Sequence, residues 1–178
     1  MKKWWLILCG LSLAQLTPAA TMTSLTMTSQ PGDYVGQGQQ YSFTMADGVW
    51  RLGTYGPNNC LVQFHNANYT QTWTLIIGAP IGSKLAVGTY DGAVRLATAT
   101  QPGLDVSGDG RGCNTATGSF IVKAVTYDLT GYPTALWVDF IEHCEGAPPT
   151  LSGELIYNVE LAVPTRNTGW GQLKTIYR

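Results

Sequence analysis

The sequence predicts an all-β fold, an antiparallel β-sandwich or partly closed barrel of about eight strands followed by a short C-terminal helix. Alternating apolar and polar residues recur along several segments, and turn-forming pairs such as Asp47-Gly48 and Asp91-Gly92 separate them. Only 12 % of the residues are charged, and 21 are glycine. Alternation with a period of two indicates half-buried strands, and many short strands at this spacing are typical of sandwiches and barrels.

The first 20 residues have the three parts of a secretory signal peptide. Lys2 and Lys3 form a basic start, residues 4–16 are apolar, and 17–20 are small residues suited to cleavage after Ala20. The apolar run is shorter than the roughly 20 residues that span a bilayer. We therefore expect a secreted, periplasmic or cell-surface protein without a membrane span after cleavage. A retained N-terminal anchor and lipidation at Cys9 are the alternatives.

The mature chain then divides into three parts. Residues 21–30 are rich in Thr and Ser and are interpreted as a flexible leader. Residues 31–163 form the predicted β domain, and residues 164–178 are a distinct tail. Strands are predicted at 41–45, 60–65, 72–77, 88–95, 117–127, 136–143 and 151–161.

The charge balance argues against a nucleic-acid partner. Without Lys2 and Lys3, the ten Lys and Arg residues fall to eight, against eleven acidic residues. The remaining cations are scattered, whereas electrostatic binding of nucleic acid needs a concentrated basic face.

Three cysteines remain after cleavage, and an oxidising compartment favours pairing. Cys113 follows a glycine-rich turn, and Cys144 ends a predicted strand on the apolar face of Val138 and Phe140. We therefore predict a Cys113–Cys144 disulfide. Cys60 is interpreted as a buried thiol, with an intermolecular bridge as the alternative.

Several segments together resemble a domain family of exported bacterial proteins. They are Pro31-Gly32-Asp33-Tyr34-Val35-Gly36, Gly88-Thr89-Tyr90-Asp91-Gly92-Ala93, Gly118-Ser119-Phe120 and, most specifically, residues 102–114 and 139–146, which contain Gly-Leu-Asp-Val-Ser-Gly-Asp-Gly-Arg-Gly-Cys-Asn and Glu-His-Cys-Glu-Gly. The resemblance covers about residues 31–158. It implies an exported protein with two paired cysteines, and it implies no particular activity.

These segments contain two candidate sites, one for calcium and one for a pair of catalytic carboxylates. Asp105, Ser107 and Asp109, followed by Gly110, echo the start of a calcium loop, but Ala116 occupies the position of its essential glutamate. We expect no cofactor, and calcium is the alternative. Glu142 and Glu145 could serve a small secreted hydrolase as paired carboxylates. We favour a non-catalytic module over that enzyme.

Aromatic residues give the better functional indication. Trp73, Tyr132 and Trp137 are the candidate ligand-binding residues, because exposed aromatic rings on a β-sheet can stack on sugars or anchor a protein. The expected partner is thus a glycan or a cell-surface protein. In the tail, Trp170, Leu173, Ile176 and Tyr177 fall on one helical face and are predicted to form an interaction element.

Overall fold

The computed structural model describes residues 20–56 and 59–161, and these form an all-β unit. Ten strands make up the described part: β1 Thr21–Ser29, β2 Gln40–Thr44, β3 Gly48–Tyr55, β4 Asn59–Asn66, β5 Thr72–Gly78, β6 Gly88–Val94, β7 Gly103–Gly108, β8 Ala116–Tyr127, β9 Pro133–Cys144 and β10 Thr150–Glu160. One 3-10 turn, Met45–Asp47, joins β2 to β3. The predicted signal peptide and the predicted C-terminal helix lie outside the described residues.

The ten strands form one sheet in the order β2-β1-β10-β9-β8-β6-β7-β5-β4-β3. All neighbouring strands are antiparallel except β6 and β7, which are parallel. The sheet is therefore mixed, whereas the sequence predicted an antiparallel one. The sheet curls until its two ends meet. Across the gap the Phe43 and Phe64 rings stack at 4.4 Å, and the Tyr41 and Trp73 rings meet edge to face at 4.6 Å. The result is a nearly closed barrel, as the sequence predicted.

The predicted flexible leader is a strand. β1 pairs with β10 on one side and with β2 on the other, and Leu25 lies opposite both Leu155 and Phe43. Leu25 and Met27 are buried while Thr26 and Thr28 face solvent. The prediction was wrong because a Thr-rich composition was taken to indicate a flexible polar segment. Threonine is β-branched and favours strands, and buried and exposed residues alternate along this segment.

The strands β3 and β7 also escaped prediction. β3 exposes Val49 and Arg51 on one face and Thr54 on the other, so its apolar signal is weak. β7 is buried on nearly every residue because it lies between β5 and β6, and the glycines in its sequence suggested a turn. Gly108 is required there, since a Cβ would come within 2.4 Å of the Trp73 ring.

Three of the segments that carry the family resemblance, residues 31–36, 102–114 and 139–146, meet at one end of the barrel. The predicted disulfide joins Cys113 to Cys144, with their Cα atoms 5.3 Å apart. Arg111 Nε donates a hydrogen bond to the Val35 carbonyl at 2.9 Å. Asp33 is buried and accepts bonds from the Ser29 hydroxyl and the Gly36 amide. These residues therefore hold three distant loops together.

Candidate functional site

A shallow groove on the outer surface of β3, β4 and β5 combines an exposed aromatic ring with polar side chains. We call it the Tyr69 groove; it has a volume of about 360 Å³ and is lined by Val49, Arg51, Gln63, Phe64, His65, Tyr69, Thr72, Trp73 and Thr74. This volume falls within the range typical of small-ligand pockets.

Strand register arranges the polar side chains of the groove in a row. Arg51 on β3 pairs with Gln63 on β4, and Gln63 pairs with Thr74 on β5. Because adjacent strands lie about 4.8 Å apart, these three side chains span roughly 10 Å. The row offers a guanidinium, an amide and a hydroxyl to one ligand.

Tyr69 forms an aromatic platform beside this row. Its ring stacks on His65 with centroids 4.0 Å apart and planes within 14°. Tyr69 is 66 % exposed, so its other face meets solvent.

The loop between β4 and β5 fixes Tyr69 in place. Asn66 accepts a bond from the Gln71 amide and donates one to the Thr70 hydroxyl, and Asn68 accepts bonds from both the amide and the hydroxyl of Thr70. The Tyr69 amide donates to the Asn66 carbonyl. The platform is therefore held in position before any ligand arrives.

Tyr69 adopts a φ of +57°, in the left-handed region. A bulky side chain there is unusual and costs about 1–2 kcal/mol, and such strain is often found at functional sites. Glycine or asparagine would fit the turn with less strain.

The electrostatics of the groove favour a polar or anionic ligand. Arg51 is exposed and has no ion pair among the residues that the structure describes. The carboxylate of Asp109 lies beside Thr72. Its Oδ1 accepts a hydrogen bond from the Thr72 amide at 2.7 Å, and its Oδ2 lies 3.9 Å from Arg111 Nη2. That carboxylate is thus engaged in structural contacts and leaves the Arg51 charge uncompensated.

The three predicted ligand-binding aromatics do not form a common surface. Trp73 lies beneath the groove with 1 % of its surface exposed, so it is a core residue. Trp137 faces outward as predicted, but it is half-buried against Ala135 and Ile156 and donates to Glu154 at 2.8 Å. Tyr132 is 44 % exposed and donates to the Leu52 carbonyl, away from the Tyr69 groove.

The segment of the calcium alternative, Asp105-Val106-Ser107-Gly108-Asp109, is a strand followed by a turn. Asp105 is buried on β7 and accepts a bond from Arg95 Nε at 3.2 Å, while Asp109 accepts one from the Thr72 amide. In the described part of the chain, no three His, Cys, Asp or Glu residues come together as a metal site. The spacing resembles a calcium loop because Asp105 and Asp109 precede Gly110, but Asp105 pairs with the Arg95 side chain and Asp109 with a backbone amide.

The two carboxylates of the hydrolase alternative do not face each other across a cleft. Glu142 follows the alternation of β9 into the barrel interior and is 1 % exposed. Its Oε1 accepts a bond from the Val106 amide at 3.1 Å, and burial raises its pKa to about 8. Glu145 is exposed in the following turn, where the Asn114 amide lowers its pKa. Substrate has no access to Glu142.

Comparison with known proteins adds no assignment: no family model, curated protein or solved structure matches this chain. Within residues 20–56 and 59–161, no helix is long and apolar enough to cross a membrane.

The sequence pointed to aromatic residues but not to this pair. Tyr69 stands in a turn after Asn66-Ala67-Asn68, a signal for exposure, and His65 is the last residue but one of β4, on its outward face. Recognising the pair required the β4–β5 loop geometry that stacks one ring on the other.

Proposed function

We propose that the protein is an exported, non-catalytic binding module that holds a glycan in the Tyr69 groove. The observation that carries this proposal is the strained, preorganised Tyr69 ring, which is stacked on His65 and open to solvent on its other face. A flat ring can stack on the apolar face of a sugar, while the Arg51–Gln63–Thr74 row can bind its hydroxyls.

Export is supported by the disulfide, because such bridges persist in oxidising compartments. It is also supported by the signal-peptide pattern of residues 1–20 and by the resemblance to exported bacterial domains. These features suit a periplasmic or cell-surface module.

The test is a glycan array probed with the exported, oxidised protein and with its Tyr69→Asn variant. Asparagine tolerates the left-handed backbone but removes the ring. We expect the wild type to bind a defined set of glycans and the variant to lose that binding at least tenfold. The control is Tyr34→Ser, which removes a tyrosine that is 54 % exposed and lies outside the groove.

Two results would contradict the proposal. One is equal glycan binding by wild type and Tyr69→Asn, which would place the site elsewhere. The other is an array without any binding together with a pull-down that captures a cell-surface protein through the groove, which would make that protein the partner.

A further inference from the structure

A second cavity lies at the opposite end of β4 from the Tyr69 groove. We call it the Lys84 pocket; it has a volume of about 350 Å³ and is lined by residues that include Thr54, Asn59, Cys60, Ser83, Lys84 and Tyr127. Cys60 and Leu85 are buried and give it an apolar base. Thr54, Asn59, Ser83 and Lys84 add polar groups to its wall, so one cavity presents both kinds of surface.

Lys84 supplies the positive charge of this pocket. Its ammonium nitrogen lies 3.6 Å from the centre of the Tyr127 ring, and the Tyr127 hydroxyl donates to the Leu85 carbonyl at 2.7 Å, which fixes the ring. The ion pairs among the described residues involve Arg95, Arg111 and Lys123, and none involves Lys84. The cation is thus positioned by an aromatic ring with its ammonium donors available for an anion.

Asn59 supplies an unused acceptor in the same pocket. Its Nδ2 donates to the Tyr55 carbonyl at 3.0 Å, which orients the amide. Its Oδ1 is buried and has no hydrogen-bond partner in the described part of the chain. A buried acceptor without a donor is costly, so a turn of the Asn59 side chain that brings Oδ1 to a donor on a bound molecule would satisfy it.

We propose that the Lys84 pocket binds a small organic carboxylate that also carries a hydroxyl or ammonium donor. The carboxylate pairs with Lys84, the donor bonds to Asn59 Oδ1, and the carbon skeleton rests on Cys60 and Leu85. The cavity is large enough for a molecule the size of a sugar acid, since ligand pockets begin at about 300 Å³. This site is independent of the Tyr69 groove.

Three probes separate the two recognition elements. D-galacturonate carries a carboxylate and hydroxyls, D-galactose has only the hydroxyls, and acetate has only the carboxylate. Titration of the full exported protein is followed by the amide NMR signals of residues around the pocket. We expect galacturonate to bind at least tenfold more tightly than either of the other two.

Variants then test the named atoms. Lys84→Met and Asn59→Leu should each weaken galacturonate binding at least tenfold, and Lys84→Arg should keep most of it. Lys84 is exposed, so Lys84→Met should fold normally, which thermal melting checks. Lys123→Met, on the outer face of β8, is the matched control and should bind like the wild type.

Two outcomes overturn the proposal: no binding of any probe at millimolar concentration, or galacturonate binding that survives Lys84→Met. Loss of galacturonate binding in Tyr69→Asn with retention in Lys84→Met would assign the sugar acid to the groove instead.

Discussion

At the scale of single residues, the buried carboxyl of Glu142 gives the sharpest prediction. Burial raises its pKa from the ordinary 4.5 to about 8 in the folded protein. Between these values the unfolded chain ionises Glu142 and the folded chain does not, so stability falls as pH rises from about 4.5 to 8 and falls no further above that. Glu142→Gln should remove this loss, and at pH 8 the variant should be more stable by on the order of 4 kcal/mol.

The measurement is urea unfolding of both proteins from pH 4 to pH 9. At pH 4 the two should agree closely, because Glu142 is then protonated in both states. Glu145→Gln is the control: the pKa of that exposed carboxyl is lowered, so its removal should not reproduce the gain. Parallel pH profiles for wild type and Glu142→Gln would show that Glu142 is not held neutral by the fold.

Under the proposed function, Tyr69 is a binding residue, so its strained backbone leads us to expect no contribution to stability. Tyr69→Asn should leave the free energy of unfolding unchanged or raise it by up to about 1 kcal/mol, since asparagine accepts a positive φ. Chemical denaturation measures this directly. A loss above about 2 kcal/mol would mean that the ring stack on His65 is a structural contact.

At the scale of elements, the prediction concerns β1. The structure makes this segment a strand of the barrel, whereas the sequence was interpreted as a flexible leader there. Leu25 is fully buried between β10 and β2, so Leu25→Ala should cost about 2–5 kcal/mol. Thr26→Ala, at the adjacent exposed position, should cost less than 1 kcal/mol. Equal, small losses at both positions would restore the interpretation of residues 21–30 as a leader.

The strands that the sequence predicted well have one face toward solvent and one face toward the barrel interior. β9 and β10 alternate over most of their length, and their observed bounds differ from the predicted ones by at most three residues. β7 is buried on both sides and rich in glycine, so no alternation marks it. The Tyr69 groove was not predictable because it depends on the register of Arg51, Gln63 and Thr74 across three strands, which local patterns do not encode.

At the scale of the whole molecule, the disulfide is a cross-link between distant parts of the barrel end. It closes 31 residues, for which chain entropy predicts a stabilisation of about 3–4 kcal/mol. Replacing both Cys113 and Cys144 with serine should lower the unfolding free energy by that amount. Cys60→Ala is the matched control: it should leave the bridge intact in mass mapping of non-reduced peptides. A bridge that includes Cys60 would contradict the assignment.

The described barrel runs from Thr21 to Leu161 as one compact unit, and this gives the last prediction. β1 begins at the residue that follows the predicted cleavage site, and β10 ends at Glu160, so a chain of residues 21–163 keeps all ten strands. We expect it to melt cooperatively within a few degrees of the exported full-length protein. The removed tail, with Trp170, Leu173, Ile176 and Tyr177, lies outside the described residues and is predicted to act in attachment or assembly. Truncation should therefore release the protein from the cell surface, whereas a melting temperature more than about 10 °C lower would make the tail part of the folding unit.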